Sequence, residues 1–224
     1  MTNDPRREAP LHRRTALSVS AALLAAAPLL SACGSDAHPG AAAVVGGQRI
    51  EVSSLQAQVK DVRTAQQASP QSAQLLQATG DLSREKLNGM IFDRIVDQVA
   101  KDHGVTATRA EIQRTRAQAA AQTGGEEQLA AMLLQQQGIA PDQIDAAVRR
   151  QILMNKVAEK IGATNTPEGQ KKLTEVFTAA SKKLAIDVNP RYGAWDNDKI
   201  QLGSYSAPWI KQLTQQPPAI ESGA

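Results

Sequence analysis

Between residues 43 and 188 apolar side chains recur mainly at the helical period. From Leu82 to His103, Leu87, Met90, Ile91, Ile95 and Val99 return every three or four positions, which places them on one helix face, and Phe92 and Val96 widen that face. Gly104 follows as a left-handed stop. Pro141 and Asp142 open a second long helix, in which Ile144, Val148, Ile152, Leu153, Val157 and Ile161 carry the stripe to a stop at Gly162.

Shorter patterns lie around these two. Ala43–Val52 sets Gly46-Gly47 between two runs of β-forming residues, the pattern of a tight hairpin. Ser53 then stands where it can cap a helix with Leu55, Val59 and Val62 on its buried side, and residues 68–81 include a loop. Thr108 and Glu111 have capping-box spacing and open a helix to about Gln122, whose apolar content is only Ile112 and alanines. After Gly124-Gly125, a helix over Glu126–Gln137 carries Leu129, Met132 and Leu133 and stops at Gly138. Thr166-Pro167-Glu168 starts another, with Leu173, Val176, Phe177, Ala180 and Leu184 on one side. Ala185–Val188 alternates as a short strand and ends at Asn189-Pro190.

Composition agrees with helix: only six residues are aromatic, so the core is built of Leu, Ile, Val, Met and Ala. Lys and Arg number 25 against 22 Asp and Glu, a net +3; without residues 1–32, which hold four Arg against one Asp and one Glu, the balance is 21 to 20. That removes the basic footprint of a nucleic-acid partner. The single cysteine excludes an intrachain disulfide and a multi-cysteine metal site.

That cysteine has a particular position. Residues 11–33 run from a basic stretch through the uncharged segment Thr15–Leu30 to small residues, the tripartite pattern of an export signal, and the segment is too short and too interrupted by Pro28 for a permanent membrane span. Leu30-Ser31-Ala32-Cys33 resembles the lipobox of bacterial lipoproteins, which implies cleavage before Cys33 and acylation of its thiol. Arg13-Arg14 leaves both the general secretory and the twin-arginine route open. The expected organisation is a signal peptide over 1–32, a flexible tether over 33–42, a helical domain over 43–196 and a mobile tail over 197–224.

The order of parts, with the hairpin "AVVGGQRIEVSSL", the long helix ending "AKDHGVTAT", the helix pair around "GIAPDQI" and the late "DVNPRYGAWD", resembles the N-terminal chaperone domain of the SurA and PrsA type of extracytoplasmic foldases. The resemblance implies a mostly α fold, a multi-helix chaperone domain whose small β-hairpin is closed by a C-terminal strand, with a groove for unfolded exported polypeptides. Family members commonly carry a parvulin prolyl isomerase between helical core and closing segment; here only Gly162–Leu184 separates them, whereas such a module needs roughly a hundred residues. Isomerase activity is not carried over.

No catalytic, cofactor-binding or metal-ligating set emerges. His12 falls in the signal, His38 in the tether, and His103 at a helix C-terminus, where the helix dipole accounts for it. Asp93/Asp97 and Glu126/Glu127 read as solvated helix faces, and neither glycine pair has the Lys of a phosphate loop. The expectation is therefore a membrane-anchored extracytoplasmic holdase with no enzyme activity, no cofactor, no nucleic-acid partner and no small-molecule substrate. Its client surface is expected on or between the two long helices, with Met90, Phe92, Val96, Met132, Leu153 and Met154 as candidate contacts. The rival is a structural or regulatory envelope lipoprotein that docks one folded partner, followed by a residual isomerase-related foldase.

Overall fold

A computed structural model describes residues 39–78 and 80–204. The expected signal peptide, the lipidation site Cys33 and most of the expected tail lie outside these residues. The chain runs β1 (Ala41–Val45), β2 (Gln48–Glu51), α1 (Val52–Ala68), α2 (Ser72–Ala78), α3 (Leu82–Asp102), α4 (Arg109–Thr123), α5 (Glu126–Gln137), α6 (Ile144–Lys160), α7 (Pro167–Lys183), β3 (Asp187–Val188), β4 (Ala194–Asp196) and β5 (Gln201–Gly203). The fold is mostly helical, as the hydrophobic pattern predicts.

The hairpin turns on Gly46 and Gly47, both at positive φ (58° and 75°), which is why two glycines stand there. β1 lies at the centre of an antiparallel sheet ordered β2-β1-β3, with Ala43 opposite Ile50 on one side and Val188 on the other. The expected closure of the hairpin by a strand from the chain's end is therefore present. Two bonds extend it: the Asn189 N–H donates to Ala42 O (3.0 Å) and the Gly46 N–H to Leu184 O (2.7 Å).

Several boundaries differ from the sequence reading. Ala41 and Ala42, placed in the tether, are fully buried in β1, since alanines alone cannot mark a strand until a partner covers them. Ser53 is not a cap: α1 begins one residue earlier, and the Val52 N–H is taken up by Gly40 O at 2.8 Å. α2 occupies part of the expected loop and is anchored by the buried Leu75. The strand read at Ala185–Val188 shrinks to two residues because Ala185 turns to a positive φ of 45°. β4 and β5 form a second, two-stranded sheet, with β5 inside the segment assigned to the tail.

That second sheet is fastened to α3 by polar groups. Arg84 donates from Nε to Tyr192 O (3.0 Å) and from Nη2 to Gly203 O (3.1 Å), and the Leu202 N–H donates to Asn88 Oδ1 (2.8 Å). Gly193 is needed for the close approach, because a Cβ there would lie 2.2 Å from Gly203 O. On the other side Trp195 Nε1 donates to the buried Ser181 hydroxyl of α7 (2.8 Å), which itself donates to Asn197 Oδ1 (2.7 Å).

Two hydrophobic clusters share α1 and α3. The larger joins Val45 and Ile50 of the sheet, Leu55, the α3 residues Leu87, Ile91, Ile95, Val96 and Val99, Leu153 and Val157 of α6, and Phe177, Val188 and Tyr192. The smaller holds Val62, Leu75, Leu82, Leu134 and Ala140. α3 thus crosses the domain as its central helix, buried on more than one side.

Candidate client-binding grooves beside the central helix

The six candidate contacts separate once α3 is seen to be central. Val96 and Leu153, each 1% exposed, belong to the core and present no surface to a client. Their position next to the main stripe predicts a widened apolar face, and both side chains lie within the larger core cluster. Phe92 is half-buried and stacks on Phe177 of α7, ring centroids 5.8 Å apart, so its ring is engaged within the fold. Met90 and Met154 are half-buried against the larger cluster, and Met132 is half-buried on α5.

Met90 lines a cleft of about 180 Å³ between α1, α3 and α6. Its walls are small where the helices face each other: Gly89 on α3, Ala146 and Ala147 on α6. A Cβ built on Gly89 would meet nothing within 4 Å, so no steric demand explains a residue that costs about 1 kcal/mol relative to Ala in a helix interior. Polar side chains span the cleft. Lys86 Nζ donates to Gln143 Oε1 (2.8 Å), Gln143 Nε2 donates to Gln58 O (3.0 Å), and Arg150 pairs with Asp93 (2.9 Å). One helical turn further, Arg149 pairs with Asp97 (2.7 Å). The Asp93/Asp97 pair read as a solvated face is thus the α3 half of two ion pairs to α6. Burial raises the Asp93 carboxyl above its ordinary pKa against the pull of Arg150, and burial together with Arg150 lowers the Lys86 ammonium.

On the opposite flank α3 and α7 enclose a groove of about 240 Å³ lined by Val99, Val176, Ala179 and Ala180, with Asp102 and Lys183 bridging it at 3.1 Å and His103 at its end. Periodicity alone places Val176 and Ala180 in the core stripe; packed against α3, Val176 is half-buried and Ala179 exposed. His103 caps α3, as its place after the stripe predicted. Among the described residues no group of three or more His, Cys, Asp or Glu is arranged to hold a metal ion, and no helix is long and apolar enough to cross a membrane.

The described residues thus form a helical module closed by its own distal strand, with grooves along a central helix. A family model described as the SurA-like N-terminal domain matches residues 13–158. The chain belongs to that family. No curated protein and no solved structure matches the chain. The family relationship is to chaperone-like foldases. Within this SurA-like chain the match covers the hairpin and the helices nearly to the end of α6, so the cleft beside Met90 lies inside it, while α7 and β3–β5 follow it. The interval Gly162–Leu184 holds α7.

Proposed function

We propose that this SurA-like chain is an extracytoplasmic lipoprotein, anchored through Cys33, that holds unfolded exported polypeptides without ATP and without catalysing prolyl isomerisation. The observation that carries the reading is the family match over residues 13–158, which runs through both walls of the cleft. The grooves beside α3 suit the task, since they combine small and apolar walls with amide and charged groups able to bond a client backbone. Affinity is expected near micromolar, about −8 kcal/mol, because a disordered client loses entropy on ordering and must be released.

The burial of Ala41 adds a spatial consequence. Only Gly34–Gly40 lies between Cys33 and the first buried strand, so an acylated Cys33 holds the domain within about 28 Å of the bilayer at full extension, at roughly 3.5 Å per residue. Clients would be met close to the membrane.

Fractionation of cells carrying wild type and Cys33→Ala tests the anchor: the wild type is expected in the membrane fraction with an acylated N-terminal peptide, and the variant is expected to leave it. Binding of a reduced, carboxymethylated secretory protein by the full-length chain in lipid vesicles tests the holdase. Capture of one folded envelope protein together with indifference to unfolded chains would establish the docking alternative instead.

A further inference from the structure

α4 is joined to its neighbours unlike any other long helix of the domain. Its inward face, at helical spacing, is Ile112, Thr115, Arg116, Ala119, Ala120 and Thr123, and only Ala120 is buried. The surface under it is apolar. On α6, Val148 and Ile152 fall between Asp145 and Lys156 at spacings of three, four and four, so all four share one face; Ile152 is 8% exposed, and Leu129 of α5 is 3% exposed. Neither hydrophobic cluster includes Leu129, Ile152 or Ala120. α4 packs against both α5 and α6 outside those clusters, and its inward face contributes one large apolar side chain, Ile112.

Ion pairs supply the attachment. Arg116 bridges Glu126 of α5 (2.9 Å) and Asp145 of α6 (2.8 Å), while Lys156 of α6 pairs with Glu111 (2.5 Å) and donates to Thr106 O (2.8 Å). Every partner keeps at least 30% of its side chain exposed, so these links are individually weak and screened by salt. Local support for the helix is separate from them, since Thr108 and Glu111 complete a capping box at its start.

We propose that α4 is a displaceable cover, latched by Arg116 and Lys156, and that its release opens the Val148–Ile152 face of α6 and Leu129 of α5 to an apolar stretch of an unfolded chain. The inference rests on the holdase reading. An apolar centre ringed by Glu126, Asp145 and Lys156 has the anatomy of an interface, and the inward face of its present cover carries Ile112 as its one large apolar side chain.

The test uses full-length protein in phosphatidylcholine vesicles and reduced, carboxymethylated α-lactalbumin as the client. Arg116→Gln with Lys156→Gln removes the latch and leaves the capping box in place; Thr115→Leu adds an apolar side chain to the inward face and tightens the cover. The double variant is expected to speed amide exchange in α4 and tighten client binding by about three- to tenfold, the range that loss of weak surface pairs allows, while α3 exchange stays unchanged and Thr115→Leu shifts both readouts the other way. Faster α4 exchange with unchanged client affinity, or unchanged exchange in the double variant, overturns the cover while leaving the holdase standing. Failure of wild type and all variants to bind the client overturns the holdase reading and the cover with it.

Discussion

α3 and α4 are consecutive helices with well-marked starts or stops, yet they are held in opposite ways. α3 buries seven residues and serves both hydrophobic clusters, whereas α4 buries one and is fastened by Arg116, Glu111 and their partners. A helix held by apolar area cannot leave without unfolding its neighbours. One held by exposed ion pairs can, since such pairs contribute only about 0–1 kcal/mol each. The difference divides the domain into a fixed frame of sheet, α1, α3 and α7, and an edge of α4 whose attachment responds to salt and charge.

The frame can be broken at its closure. Removing residues 185–224 takes away β3 and the Tyr192 and Trp195 contacts, so the cooperative thermal transition is expected to disappear while removal of 205–224 alone leaves it; equal melting of the 185–224 deletion and the full chain would refute the closure. Next in size, Ile91→Ala in α3 should cost about 2–5 kcal/mol and Ile112→Ala in α4 less than about 1 kcal/mol, read from denaturant midpoints at constant slope. Comparable losses would mean that α4 carries core energy after all.

A smaller effect sharpens the α4 side. Bonds from Lys156 and from the Thr108 N–H and hydroxyl hold the Glu111 carboxyl down to about 2. Because this pKa lies below the unfolded value, Glu111 contributes stability that is complete above pH 4.5 and is lost as pH falls toward 2. Amide exchange in α4 should accelerate across that window in wild type, and Glu111→Gln should remove the pH dependence. The smallest effect lies in the frame: the buried Tyr192 hydroxyl has no hydrogen-bond partner among the described residues, so Tyr192→Phe is expected to be neutral or to stabilise by about 1 kcal/mol or less. A clear destabilisation would show that the hydroxyl is satisfied in solution.

Signals that are local in the chain proved legible. The Thr108/Glu111 cap, the α3 stripe, the Gly46-Gly47 turn and the Pro167 start each depend on residues within a few positions of one another, and each forms as read. β4 and β5 were not legible, because what fastens them comes from more than a hundred residues earlier: Arg84 donates to Tyr192 O and Gly203 O, and Asn88 Oδ1 accepts from the Leu202 N–H. α2 has one buried anchor, Leu75, too little for a periodic signal. The candidate site divided for a related reason. Periodicity marks Val96 and Leu153 as facing something, but only the arrangement of α1, α6 and α7 around α3 decides that they face protein, while Gly89, Ala146 and Ala147 leave Met90 beside open space.

On the proposed function, a membrane-held SurA-like domain keeps unfolded exported chains from aggregating. The most direct measurement is light scattering of a reduced secretory protein in the presence of vesicles carrying the full-length chain, without nucleotide, with helicity and cooperative melting of the same sample recorded. Suppression that rises with the ratio of chain to client and saturates is expected. Unchanged aggregation in a sample that is helical and melts cooperatively would contradict it.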